Sequence, residues 1–148
     1  MPPDAVQRAQ TAGYSGTPLS KKLGIKAGSN LALVGAPKDY PQLIAAIPTG
    51  VKISGGLSPA TDIVHVFSTR RADLERFLIS CRPKLGPDAT IWVSWPKRAA
   101  KVPTDITEDV IRAVALPTGL VDVKVAAIDD VWSGLKLVRR LSERRPTR

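Results

Sequence analysis

Three short apolar runs, at residues 31–34, 63–67 and 90–95, are each followed by turn residues and then by helical spacing. Runs this short and this uniformly apolar read as strands buried on both faces. Strands alternating with helices imply right-handed crossovers, and hence a mostly parallel sheet with helices on both faces. Val51, Lys52 and Ile53 alternate in polarity and are expected to form a weaker outer strand. Residues 121–125 alternate as a half-buried strand should, Asp129-Asp130 reads as a turn, and residues 135–138 return. An antiparallel hairpin is therefore expected to close the sheet at its carboxyl-terminal side.

The helices announce themselves by their ends. Thr17 followed by Pro18 predicts a capped start and a short helix through Leu23. Leu43, Ile44 and Ile47 form one face of a brief helix stopped by Pro48. Thr69 is expected to cap the longest helix, along which Leu74, Phe77, Leu78, Cys81 and Leu85 recur at three- and four-residue steps. Pro83 and Gly86-Pro87 end it. Asp105, three residues before Glu108, has capping-box spacing and adjoins the apolar series Ile106, Val110, Ile111 and Val114.

A chain of 148 residues is long enough for one well-filled core, expected over residues 13–140. Residues 1–12 are expected to be a flexible arm and residues 141–148 a basic tail. Of the net charge of +9, residues 139–148 carry +4 through five arginines and one glutamate, and the remaining +5 is interspersed over the body. A solvated end explains such a run, and no aromatic interleaves with it to stack on bases. Cys81 is the single cysteine, which excludes an internal disulfide and a cysteine-based zinc site. It lies on the apolar stripe, so a packed thiol is expected. No apolar run approaches a membrane span, and the first residues lack the basic-then-apolar pattern of a secretory signal. A cytoplasmic protein without membrane contact is the expectation.

Residues 23–35 and residues 62–66, with the helix after them and residues 85–93, resemble the first strand, central strand and following strand of the class I methyltransferase fold. The closing hairpin fits as well, so a shortened, Rossmann-like fold of that type is implied. Four segments (residues 13–19, 92–97, 102–108 and 132–136) also resemble the signatures of a bacterial family defined only as a domain of unknown function. The first resemblance implies S-adenosylmethionine as cofactor, held by a glycine-rich loop after the first strand and an acid at the end of the second. Here the first strand runs into Gly35-Ala36-Pro37-Lys38-Asp39, and the second into Ser54-Gly55-Gly56 without a carboxylate. No cofactor is fixed by these residues.

In an open α/β sheet, ligands bind outside the carboxyl ends of the strands. Trp95, Lys97, Arg98, Thr104 and Asp105 lie after the third apolar run and are the leading candidates. The cations suit an anionic or nucleotide-like ligand, and Trp95 offers a stacking face. Trp132 is either a further wall of that pocket or a cover for the core. Ser15, Gly16, Thr17 and Lys21 form a second candidate, an anion site at a helix start. His65, the single histidine, sits mid-strand and is expected to pack in the core with its nitrogens on backbone groups. With one histidine and one cysteine, no metal set is expected. Three readings follow: a ligand- or protein-binding module without methyltransferase activity, a divergent transferase using S-adenosylmethionine or a nucleotide-like cofactor, or a nucleic-acid-associated protein acting through its tail.

Overall fold

The computed structural model describes residues 17–140. In chain order the elements are α1 (Leu19–Leu23), β1 (Asn30–Val34), α2 (Tyr40–Leu43), β2 (Lys52–Ser54), β3 (Ile63–Phe67), α3 (Arg71–Cys81), β4 (Thr90–Pro96), α4 (Glu108–Ala115), β5 (Leu120–Ala127) and β6 (Trp132–Arg139). They form one six-stranded sheet in the order β2-β1-β3-β4-β6-β5. The first four strands are parallel, and β6 runs antiparallel to both β4 and β5. This is the mostly parallel α/β architecture with a closing hairpin that the alternating pattern predicts.

Alternation along the central strands builds two cores. Val64 and Val66 of β3, Ile91, Val93 and Trp95 of β4, and Leu135 and Leu137 of β6 face α3 and α4. Ile63 and Phe67, with Trp92, face α1 and α2. The first core is sealed by the apolar stripe of α3, where Leu74, Leu78 and Cys81 are wholly buried. The outermost strands are thin by contrast. β2 is exposed throughout, and β5 carries a bulge between Asp122 and Lys124. That extra residue breaks the alternation expected of β5 and leaves Val123 and Val125 about half exposed (53% and 50%).

Several local expectations are corrected. Pro18, not Thr17, occupies the position before α1, and no side chain caps that helix. α2 is a single turn, with Tyr40 buried beneath it rather than a longer apolar face. Thr69 does not cap α3: Arg70 precedes it, and the Asp105 carboxylate accepts the Arg71 backbone N–H at 2.6 Å from the distant β4–α4 loop. Asp105 is thus outside the capping box read from its spacing. Thr107 caps α4 instead, its hydroxyl accepting the Val110 N–H at 3.2 Å. Arg139 and Arg140, at the end of the expected core, are held by hydrogen bonds to earlier loops. Arg139 donates to the carbonyls of Arg82 and Leu85 just past α3, and Arg140 to that of Leu116. The expected arm and tail lie outside the described residues.

The Asp105 cap makes a prediction. Asp105→Ala should cost about 1 kcal/mol, the usual worth of a lost helix cap, and weaken the tie between the β4–α4 loop and β3. Urea unfolding of the two proteins measures it; equal midpoints would refute the tertiary cap.

Candidate functional site

The chain leaves β1 toward β2 on one side and then crosses to β3 on the other. The strand order therefore reverses between β1 and β3, which defines the crevice where open α/β sheets take ligands. Gly35 forms its near wall with φ of +68°, and a side chain there would bring its Cβ to 2.9 Å from the Phe67 carbonyl oxygen. Only glycine lets the loop fold this closely over the end of β3. At the end of β2, Ser54 and Gly56 close a tight turn in which the serine hydroxyl accepts the Gly56 N–H at 3.3 Å. Ser68 extends the β3–β4 pairing by donating its N–H to the Ser94 carbonyl at 3.0 Å.

The rim around this end of the sheet is basic. Lys38, Arg70, Arg98 and Lys101 are exposed on the loops after β1, β3 and β4, Arg71 is exposed at the start of α3, and Lys97 is half-buried. Lys22 reaches the same rim, donating to the Ala127 carbonyl at 3.3 Å. Burial first, and then the Lys97 ammonium, lower its pKa. Two of the rim's carboxylates are already engaged. Asp105 caps α3, and Asp129 accepts the N–H groups of Val131 and Trp132, both at 2.8 Å. Such a field attracts anions to the crevice.

The sequence-based candidates divide in this setting. Trp95 is 9% exposed and packed in the first core, so its ring is not a free stacking face. Lys97 and Arg98 do lie on the rim, Lys97 anchored by its backbone N–H to the Val131 carbonyl at 2.7 Å. Thr104 donates its hydroxyl to the Thr69 carbonyl at 2.7 Å, so Thr104 and Asp105 tether their loop to the end of β3. Trp132 meets Phe67 edge-on at 5.0 Å and belongs to the second core. Of the second group, Lys21 is exposed on α1 and Thr17 precedes it without capping, while Ser15 and Gly16 lie outside the described residues.

Beneath the crevice runs a buried polar chain that the sequence does not announce. The Tyr40 hydroxyl lies 2.9 Å from His65 Nδ1, and His65 Nε2 lies 2.7 Å from the Ser94 hydroxyl. His65 therefore satisfies both nitrogens with side chains rather than the backbone groups expected. Its ring stacks on Phe67 at 4.3 Å. Burial depresses the His65 pKa to about 3 and raises that of Tyr40 above its ordinary value. The imidazole is thus neutral, with one donor and one acceptor nitrogen. All three side chains are buried, so the hydrogen-bonded chain ties the α2 turn to β3 and β4. Among the described residues, no three metal-binding side chains come together, and no helix is long and apolar enough to cross a membrane.

Known proteins are similar to this chain in architecture. A SAM dependent methyltransferase from Aquifex aeolicus superposes with a TM-score of 0.66 at 12% identity, over 93% of this chain and 98% of that one. A protein from Sulfolobus solfataricus described as a type 11 methyltransferase gives 0.61 at 12% identity, over 86% and 93%. The B. subtilis M1A22 tRNA methyltransferase TrmK gives 0.51 at 11% identity, over 84% and 66%. No family model and no curated protein matches the chain. The fold is that of the class I S-adenosylmethionine-dependent methyltransferases, as the arrangement of its strands implies.

Proposed function

We propose that this chain is a divergent transferase-type protein that binds S-adenosylmethionine or a closely nucleotide-like ligand in the crevice between β1 and β3. The observation that carries the reading is the glycine turn at Gly35, placed where the strand order of a methyltransferase-type sheet reverses and ringed by cations. The fit is partial. Gly35 brings bare backbone to the crevice wall, and Ser54 and Asp39 are exposed polar side chains on the neighbouring loops. The end of β2 carries no carboxylate to grip ribose hydroxyls, so those two residues would have to share that task. S-adenosylmethionine, when bound, supplies an electrophilic methyl group on its sulfonium. Lys97, Arg98 and Arg70 would draw in an anionic acceptor or steady an anionic part of the ligand.

Binding without methyl transfer is the second reading, favoured by Pro37 inside the first loop and by the bare Ser54-Gly55-Gly56 turn.

Both readings are tested by melting the protein with S-adenosylmethionine, its demethylated product and ATP. At about a hundred times its Kd, a bound ligand should stabilise the chain by about 3 kcal/mol, or on the order of 8 °C. Gly56, beside which a Cβ would meet open space, offers a blocking variant. Gly56→Trp should abolish the shift while leaving the ligand-free melting temperature unchanged. No shift with either adenosyl compound at millimolar concentration would rule the proposal out. A shift without methyl transfer to any acceptor supports the second reading.

A further inference from the structure

At the opposite end of the sheet, where β1, β3 and β4 begin, lies a depression of about 460 Å³. Lys26 and Lys136 line it, together with Ser29, Thr90, Asp62 and Asp88. Lys136 on β6 stands directly opposite Lys124 on β5, and on its other side opposite Trp92 of β4. The Lys124 ammonium hangs 6.0 Å over the Trp92 ring. Like charges facing each other across a strand pair destabilise it. None of the three lysines forms an ion pair with a carboxylate among the described residues. Their mutual repulsion is felt at Lys136, whose pKa is lowered by burial, then by Lys124, then by Lys26. A native state that holds Lys26 and Lys136 at the wall of a concavity, with Lys124 facing Lys136 across the strand pair, is stabilised by an anion placed between the two lining lysines.

The remaining wall has different chemistry. The Ser29 hydroxyl accepts the Lys26 N–H at 3.0 Å, which leaves its own proton to donate. Asp62 accepts the Asn30 N–H at 2.8 Å through one oxygen, and Asp88 is exposed. These carboxylates repel an anion but accept hydrogen bonds from hydroxyl groups. The volume falls within the range of small-molecule sites.

We propose that this depression binds a small phosphate monoester bearing hydroxyl groups, its dianion between Lys26 and Lys136 and its hydroxyls toward Asp88 and Asp62. The site is separate from the crevice, at the other end of the strands, and does not depend on what binds there. Calorimetric titration of the full chain at fixed ionic strength, with ribose 5-phosphate, inorganic phosphate and ribose, tests it. Ribose 5-phosphate should bind more tightly than phosphate, and ribose not at all. Lys136→Gln should weaken both phosphate probes by about tenfold or more, as loss of a charge-assisted contact does. Asp88→Asn should weaken ribose 5-phosphate alone. Lys136→Gln should also raise the melting temperature without ligand, because the facing lysines no longer repel, while abolishing the rise that phosphate gives the wild type. Lys52→Gln, an exposed charge at the start of β2, should change nothing, and Gly56→Trp should leave the titrations intact. Unchanged affinity in Lys136→Gln, an equal loss in Lys52→Gln, or no heat at millimolar phosphate probe would overturn the proposal.

Discussion

Trp92→Ala is expected to destabilise the protein by about 4 kcal/mol, near the upper end for a single truncation in a core. The indole is fully buried in the second core, at the junction of β4, α1 and the hairpin. Its Nε1–H donates to the Leu23 carbonyl at 3.1 Å, so removing it also orphans the end of α1. Its ring further explains Gly134 on the neighbouring strand. A Cβ there would sit 3.2 Å from the indole and 2.9 Å from the Ile128 side chain. The hairpin can approach β4 only because that position is bare. A domain of this size has about 5–15 kcal/mol in total, so the alanine variant should be poorly folded at physiological temperature. Trp92→Phe keeps most of the apolar contact but loses the hydrogen bond, and should cost clearly less. Urea midpoints for the two variants decide the matter. Equal, small losses would mean that the indole is not the keystone of this face.

The neighbouring details show how far the sequence carries. The buried runs at residues 63–67 and 90–95 and the stripe along α3 were legible because burial on both faces, or on one helical face, leaves a direct pattern. That the carboxyl ends of the parallel strands share one rim follows from the same alternation. The caps were not legible. Asp105 has capping-box spacing toward Glu108, yet its carboxylate serves a helix 34 residues earlier in the chain. Tertiary partners of that kind leave no local spacing to read. Trp95 was similarly opaque, since a strand-end aromatic reads equally as a pocket wall or as core. Period-two alternation puts His65 and Ser94 on one face only after β3 and β4 are known to be neighbours with His65 beside Trp92. Tyr40, the third member, comes from a one-turn helix with no periodicity to announce it. The lysine cluster depends on the hairpin register, which the β5 bulge shifts by one residue.

Mild acid should destabilise this fold through its buried histidine. His65 is the single histidine in the chain, and its folded-state pKa of about 3 lies well below the ordinary 6.5. Below pH 6.5 the unfolded chain takes up a proton that the native state refuses, because a charged ring would be stranded between Tyr40 and Ser94 without solvent. The unfolded state then binds more protons, so stability falls as pH falls. The full contribution is present above pH 6.5 and is lost progressively until the native ring itself protonates near pH 3. Each pH unit in that window costs about 1.4 kcal/mol, so the drop from pH 6.5 to 5 is about 2 kcal/mol. The slope between pH 5 and 6.5 is assigned to His65 by comparing the wild type with a variant that lacks the ring. Urea unfolding at half-unit steps should show that slope in the wild type. His65→Gln, with an uncharged amide in place of the ring, should be less stable at pH 7 but flat across the same range. A wild-type stability that does not change between pH 7 and 5 would show that His65 is hydrated or charged in the native state, and that the Tyr40–His65–Ser94 chain is not closed to water.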